Sequence, residues 1–216
     1  MPQSRFMARG TARITGRITG RRAALAASIA LALTAAGCSA DQTAGQNAVS
    51  QGEGSFSFYS PGGATEIFYE QAERQPVQDF SGDSLMEEGT QISLSDFEGK
   101  VVVLNSWGQW CAPCRSEVDD LEETQEAIEP LDATILGINV RDYNRQIAQD
   151  FVKDNGVTYP SLYDPPFRTA AALGGVPASV VPTTIVLDRE HRPAAVFLRA
   201  ITAGELIDVV KQIAQE

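Results

Sequence analysis

Two apolar runs stand out along the chain. Residues 100–106 (KVVVLNS) and 133–140 (ATILGINV) are nearly continuous in apolar and β-branched side chains. That pattern predicts strands buried on both faces. Between them, residues 111–128 read as one helix that stops at Pro130. Residues 143–155 predict a second helix, with Ile147, Phe151 and Val152 on its inner side and Gly156 just past its end. Shorter elements are expected as strands at 92–94 and 160–163 and as a helical turn at 168–173. Two further strands, 183–187 and 194–199, are joined by the turn 188–191. A last helix opens on a capping box, Thr202 with Glu205. Leu206, Val209, Val210 and Ile213 then recur at i, i+3, i+4 and i+7. Strands and helices alternate at first, and two adjacent strands then close with a helix. This order implies an α/β fold, a central mixed sheet flanked by helices on both faces.

Upstream the pattern changes. Residues 56–59 and 66–69 are short aromatic runs on either side of Pro61-Gly62-Gly63, which predicts a hairpin. Residues 39–54 are small and polar and read as a flexible tether. Before them, residues 23–36 (AALAASIALALTAA) form an uncharged stretch of 14 residues, short of the roughly 20 that a bilayer span needs. Six arginines and no acid precede that stretch. Together these are the n- and h-regions of an export signal. Arg21-Arg22 faintly resembles a twin-arginine signal, and a plain basic n-region is the preferred reading. The stretch ends at Ala35-Ala36-Gly37-Cys38, which resembles a bacterial lipobox, although Ala35 stands where Leu is usual. A lipobox implies lipid on Cys38 as the first mature residue, and the alternative is an uncleaved short anchor. Either way the body is expected on the extracytoplasmic face of a cell membrane. The expected organisation is therefore a lipoprotein signal at 1–37, a tether at 38–54, an extension at 55–74 and a folded domain at 75–216.

Charge sharpens this division. The 216 residues carry a formal charge of −11, but the basic leader hides a more acidic body. Beyond Arg22 there are 11 basic residues against 28 acidic ones. Such a body is a poor ligand for nucleic acid, which needs a basic face. Three cysteines are too few for a disulfide scaffold, and the single histidine, His191, excludes a His-rich metal site. His191 falls in a turn and is expected at the surface. Seven acids lie from Glu117 to Glu129 with no basic residue among them. A solvated helix face explains them more simply than a rim that steers a basic partner.

With Cys38 assigned to the leader, Cys111 and Cys114 remain, inside Trp107-Gly108-Gln109-Trp110-Cys111-Ala112-Pro113-Cys114. The pair sits between the strongest strand and a helix. Cys111 is expected at the helix N-terminus, where free N–H groups and the helix dipole favour a thiolate. The thiolate is the species that attacks a disulfide. Cys114, one turn on, is close enough to resolve the mixed disulfide. Pro113 loses nothing by lacking an N–H in the first turn. Trp110 is expected to cover one side of the site and exclude water. A CxxC is also half of a zinc site, but zinc normally needs four ligands, usually Cys and His, and here only His191 and carboxylates could complete the set. A structural staple is the other alternative, disfavoured because a strand-to-helix junction is expected to expose the first cysteine. Exported proteins live where disulfides form, so redox chemistry is the leading reading. No cofactor or metal is expected.

The WCAPC run after a buried strand resembles the thioredoxin superfamily. Together with residues 76–80 (PVQDF), 92–105 (ISLSDFEGKVVVLN), 110–117 (WCAPCRSE) and 181–184 (VPTT), the chain resembles the membrane-tethered TlpA/ResA-like branch over about residues 75–216. The resemblance implies a thioredoxin-like fold with a family-type insertion, which 144–173 is long enough to supply. It implies a cis peptide before Pro182 and a loop in which Val181 offers backbone groups to an extended substrate. It implies that Asn105 replaces the buried acid of ordinary thioredoxins. It also implies that Glu117, on the helical face of Cys114, tunes the cysteines and assists proton transfer, against the alternative of an ordinary surface acid. Relatives often carry Pro two residues after that Glu. Here it is Asp119, so a straighter helix is expected.

The function this implies is a thiol–disulfide oxidoreductase that reduces protein disulfides. Apocytochrome c cysteines before haem attachment are the substrate, and a membrane electron donor of the CcdA/DsbD type is the partner. An oxidant or isomerase uses the same fold and cysteines, and Ala112-Pro113, with neither charge nor histidine, argues against a strong oxidant. A thiol metal chaperone is the third reading, weakened by the missing histidines. Nothing in the sequence resembles the threonine-containing cysteine loop of peroxiredoxins.

Overall fold

The structure, a computed structural model, describes residues 54–216. The leader, Cys38 and the tether up to residue 53 lie outside the described residues. In chain order the elements are β1 (Glu66–Phe68), β2 (Ser81–Asp83), β3 (Gln91–Ser93), β4 (Val101–Trp107), α1 (Ala112–Ser116), α2 (Val118–Ile128), β5 (Ala133–Asn139), α3 (Arg145–Asp154), β6 (Ser161–Tyr163), α4 (Thr169–Ala172), β7 (Thr183–Leu187), β8 (Pro193–Phe197) and α5 (Ala203–Ala214). The main sheet is ordered β1-β8-β7-β4-β5-β6. β4 pairs parallel with β5 and antiparallel with β7, and β5 pairs parallel with β6. β7, β8 and β1 continue antiparallel to the edge. The sheet is thus mixed, as its sequence order implied, and the fold is thioredoxin-like.

Every residue of β4 is buried, which is why its sequence reads as an unbroken apolar run. Val101 and Val103 face one layer, with Leu121 and Ile128 of α2 and Leu206, Val210 and Ile213 of α5. The heptad-like stripe of α5 packs as its spacing predicts, and its capping box forms at Thr202 and Glu205. Asp120 of α2 adds a further cap, since its Oδ1 accepts from Ala203 N at 2.9 Å.

The opposite face departs from expectation. Val102 and Leu104 pack on Val77, Phe80, Leu94, Phe167 and Leu173. Those residues come from the chain before β4 and from the segment around the four-residue α4, so helices cover only one face fully. The extension does not form a hairpin. β1 instead joins the sheet edge beside β8, with Ile67 opposite Val196. The backbone of 56–59 bonds elsewhere: Phe56 N to Pro76 O at 2.8 Å and Phe58 N to Gly174 O at 2.9 Å. Gly174 permits this contact, since a Cβ there would meet the Phe56 ring and the Phe58 nitrogen at 2.7 Å. Its φ of +71° also suits glycine. The aromatic runs bury themselves against distant chain, and that outweighs local pairing.

Two helices also differ. The expected single helix 111–128 breaks at Glu117 (φ −96°, ψ −1°) into α1 and α2. Asp119 in place of Pro has not made it straight. In α3 the inner residues are Ala148 and Val152, whereas Ile147 is exposed. The buried stripe is centred on Ala148 and Val152; Phe151, at its edge, lies 5.4 Å from Trp107 between ring centroids, and Ile147 lies further round the helix and faces solvent. The insertion expected at 144–173 holds α3, β6 and α4 between β5 and β7. A small second sheet pairs β2 with β3.

Candidate active site

β4 delivers the chain to Gly108, and the redox motif follows at once. Cys111 is the N-cap of α1, and its Sγ accepts from Cys114 N at 3.2 Å. Its own N–H bonds Gly108 O at 3.0 Å, which closes the loop onto the strand end. Cys111 and Cys114 are joined as a disulfide. Cys111 is 3% exposed and Cys114 5%, so the junction does not lay the first cysteine open. Trp107, Leu85, Ala148 and Val152 pack around the pair, with Val181 against them. The Val181–Pro182 peptide is cis, and Val181 O lies 3.5 Å from Cys111 Sγ. Val181 and Pro182 are therefore brought to Cys111 across 70 residues of sequence.

Trp110 is 40% exposed. Its indole folds back over Gly108, where a Cβ would lie 2.3 Å from Nε1. Nε1 donates to Val140 O at 3.0 Å. The loop after β5 holds the motif at a second point, because buried Asp142 accepts from Gln109 N at 2.9 Å and from Asn139 Nδ2 at 2.7 Å. Sequence reasoning missed Asp142 and Arg141. Both act across strands, and no local spacing signals that.

Glu117 is not a surface acid. It is 1% exposed, and its carboxylate accepts from Asn105 Nδ2 at 3.1 Å and from Ile201 N at 3.2 Å. Those two bonds draw the residue inward and account for the helix break. Asn105 Nδ2 also donates to Thr184 Oγ1 at 3.1 Å, which ties the strand pair β4–β7 to the carboxylate. Asn105 Oδ1 is buried with no partner among the described residues. It borders a cavity of about 10 Å³ shared with Cys114, Trp107 and Tyr159, room for about one water. Among the described residues no group of three or more His, Cys, Asp and Glu side chains is placed to hold a metal ion. His191 occupies the expected turn, with Nε2 3.1 Å from Phe97 O.

Burial pushes the Glu117 carboxyl up to about 7, while its bonds from Asn105 and Ile201 pull the other way. A carboxyl whose pKa is higher folded than unfolded binds its proton more tightly in the native state. Its contribution is therefore complete below the unfolded value, near 4.5, and is lost as pH rises through 7. The loss is about 3 kcal/mol. Urea unfolding of wild type and Glu117→Gln from pH 4 to 8 checks this. The wild type is expected to lose about that much more stability over the range than the variant. Parallel curves would refute a raised Glu117.

The sequence profile described as the AhpC/TSA family matches residues 74–192. Thiol–disulfide oxidoreductase ResA of Bacillus subtilis (strain 168) is 29% identical over 125 residues, covering 58% of this chain and 68% of that protein. ResA of Geobacillus thermodenitrificans (strain NG80-2) is 29% identical over 119 residues, covering 55% and 66%. The matched region thus spans about two thirds of these relatives. Among solved structures, a secreted thiol–disulfide isomerase from Corynebacterium glutamicum is 64% identical with a TM-score of 0.74, covering 76% of this chain and 99% of that one. A DsbF homologue from Corynebacterium diphtheriae is also 64% identical, with a TM-score of 0.71, covering 74% and 99%.

Proposed function

Because the chain belongs to the AhpC/TSA family and is a thiol–disulfide oxidoreductase of thioredoxin fold, we propose that it reduces protein disulfides outside the cytoplasm through Cys111 and Cys114. The Cys111 thiolate attacks one sulfur of the substrate disulfide and releases the other as a thiolate. Cys114 then attacks Cys111 Sγ, releases the second substrate sulfur and leaves the protein pair oxidised. Two electrons pass to the substrate. Glu117 serves as the base that takes the Cys114 proton, since a carboxyl near 7 can both accept and return it at working pH. Val181 presents backbone groups beside the cis Pro182 to an extended substrate, and Trp110 flanks the attacked disulfide. The substrate is the apocytochrome c cysteine pair before haem attachment, in keeping with the similarity to ResA. A membrane donor of the CcdA/DsbD type re-reduces the pair, and lipid on Cys38 holds the protein at the extracytoplasmic face of the membrane.

The observation that carries the reducing direction is the buried carboxyl of Glu117, one helical turn after Cys114 and bonded to Asn105, which borders the Cys114 cavity. A carboxylate there opposes a second negative charge on sulfur. Strong oxidants, by contrast, stabilise their reduced form. The second reading, an isomerase or oxidant, is favoured by the 64% identity to a secreted thiol–disulfide isomerase. The reduction potential of the full chain, equilibrated with glutathione buffers, separates the two. We expect a value near roughly −270 mV, as for thioredoxin, and a value near roughly −120 mV would make it a disulfide-forming enzyme.

A further inference from the structure

The charges beside Cys111 run against those of the body. Arg74, Arg145, Arg189, Arg192 and Arg199 each pair with a carboxylate. Arg115, Arg141 and Arg168 are exposed and pair with none among the described residues; of these, Arg115 lies in α1, capped by Cys111, and Arg141 in the loop after β5 that holds the motif. Arg115 Nη1 donates to Gln109 O at 2.8 Å. The Arg141 guanidinium carbon stands 5.5 Å from the centre of the Trp110 ring, and its Nη2 donates to Ala178 O.

Arg141 therefore reaches from Trp110 to the segment before Pro182, the two sides between which Cys111 lies. Its backbone is fixed for this reach, with φ at +59° and its N–H bonded to Pro165 O at 2.9 Å. The neighbouring acid, Asp142, turns inward to Gln109 N and Asn139 and makes no ion pair with it. A guanidinium carries five N–H donors and never loses its charge. Each of these two uses only one contact of that kind with the protein, so each keeps free donors aimed at solvent.

We propose that Arg141, assisted by Arg115, sets substrate choice at this site, selecting disulfides that carry Asp or Glu beside the attacked cysteine. The inference rests on the reading of Cys111 as the nucleophile. It adds a preference for the charge beside the attacked cysteine, which that reading does not specify.

The test uses three peptide disulfides that differ only in Glu, Gln or Lys next to the cysteine. Their reduction by the reduced full-length protein is followed by stopped-flow fluorescence. The Glu peptide is expected to react about tenfold faster than the Lys peptide at low salt, and the ratio should shrink in 0.5 M salt. Arg141→Gln should bring the ratio close to that of high salt, and Arg141→Lys should keep it. An unchanged ratio in Arg141→Gln overturns the proposal. That includes the case in which all three peptides slow alike, which would make Arg141 only a support for Trp110. If the wild type reduces none of the peptides, or if Cys111→Ser reduces them as well as the wild type does, the thiol-exchange reading itself fails and the substrate inference falls with it.

Discussion

Cys111→Ser is expected to lower disulfide exchange by at least about 10³-fold, because a hydroxyl is not ionised near neutral pH and only the thiolate attacks. Cys114→Ser should behave differently. Cys111 still attacks, but nothing resolves the product, so a mixed disulfide accumulates. The asymmetry follows from position. Cys111 is the helix N-cap, receives the Cys114 N–H and lies against Val181 O, while Cys114 sits inside the first turn above the Asn105 cavity. Mass spectrometry of each variant after incubation with a peptide disulfide reads the outcome directly. A stable adduct on Cys111→Ser, with none on Cys114→Ser, would reverse the assigned roles.

Arg74→Met should destabilise the fold by about 3 kcal/mol, at the low end of what breaking a buried ion pair costs. Arg74 is buried far from the cysteines. Its Nε donates to Tyr69 O at 2.9 Å, Nη1 reaches Asp188 at 3.3 Å, and both terminal nitrogens reach the Glu216 carboxylate. Removing it takes one of two cationic partners from the buried Asp188 carboxylate. The loss is limited because Arg192 Nε and the backbone N–H groups of Glu190 and Arg192 still reach Asp188. For a domain of this size, about 3 kcal/mol lowers Tm by roughly 6–12 °C. Calorimetry checks it, and a shift under 2 °C would show that these groups contribute little. Exchange rates measured well below Tm should stay near wild type, since the network touches neither cysteine.

Arg74 also shows where sequence reading stops. Its position before residue 75 placed it in an extension thought to fold locally as a hairpin. In the structure, that extension supplies an edge strand, an inner layer of the core and this buried charge. The contacts that tie it to the domain are distant in sequence: Ile67 meets Val196, Phe58 meets Gly174 and Arg74 meets Asp188. The Asp142 hold on Gln109 and the reach of Arg141 to Ala178 were hidden for the same reason.

The central strands, the closing helix with its cap and the placement of the CxxC pair are all legible in the order of residues along the chain. Each depends on neighbours within a turn or on a periodicity that survives in one dimension: β4 is buried on both faces and reads as a solid apolar run, and α5 buries one stripe and shows it every three or four residues. That Cys111 is covered, that the helix breaks at Glu117 and that this carboxyl is buried between Asn105 and Ile201 emerge only in the folded protein. Those outcomes depend on which side chains meet across the sheet. Burial of a polar group is settled by partners that lie 12 and 84 residues away in the chain, and no local pattern encodes them.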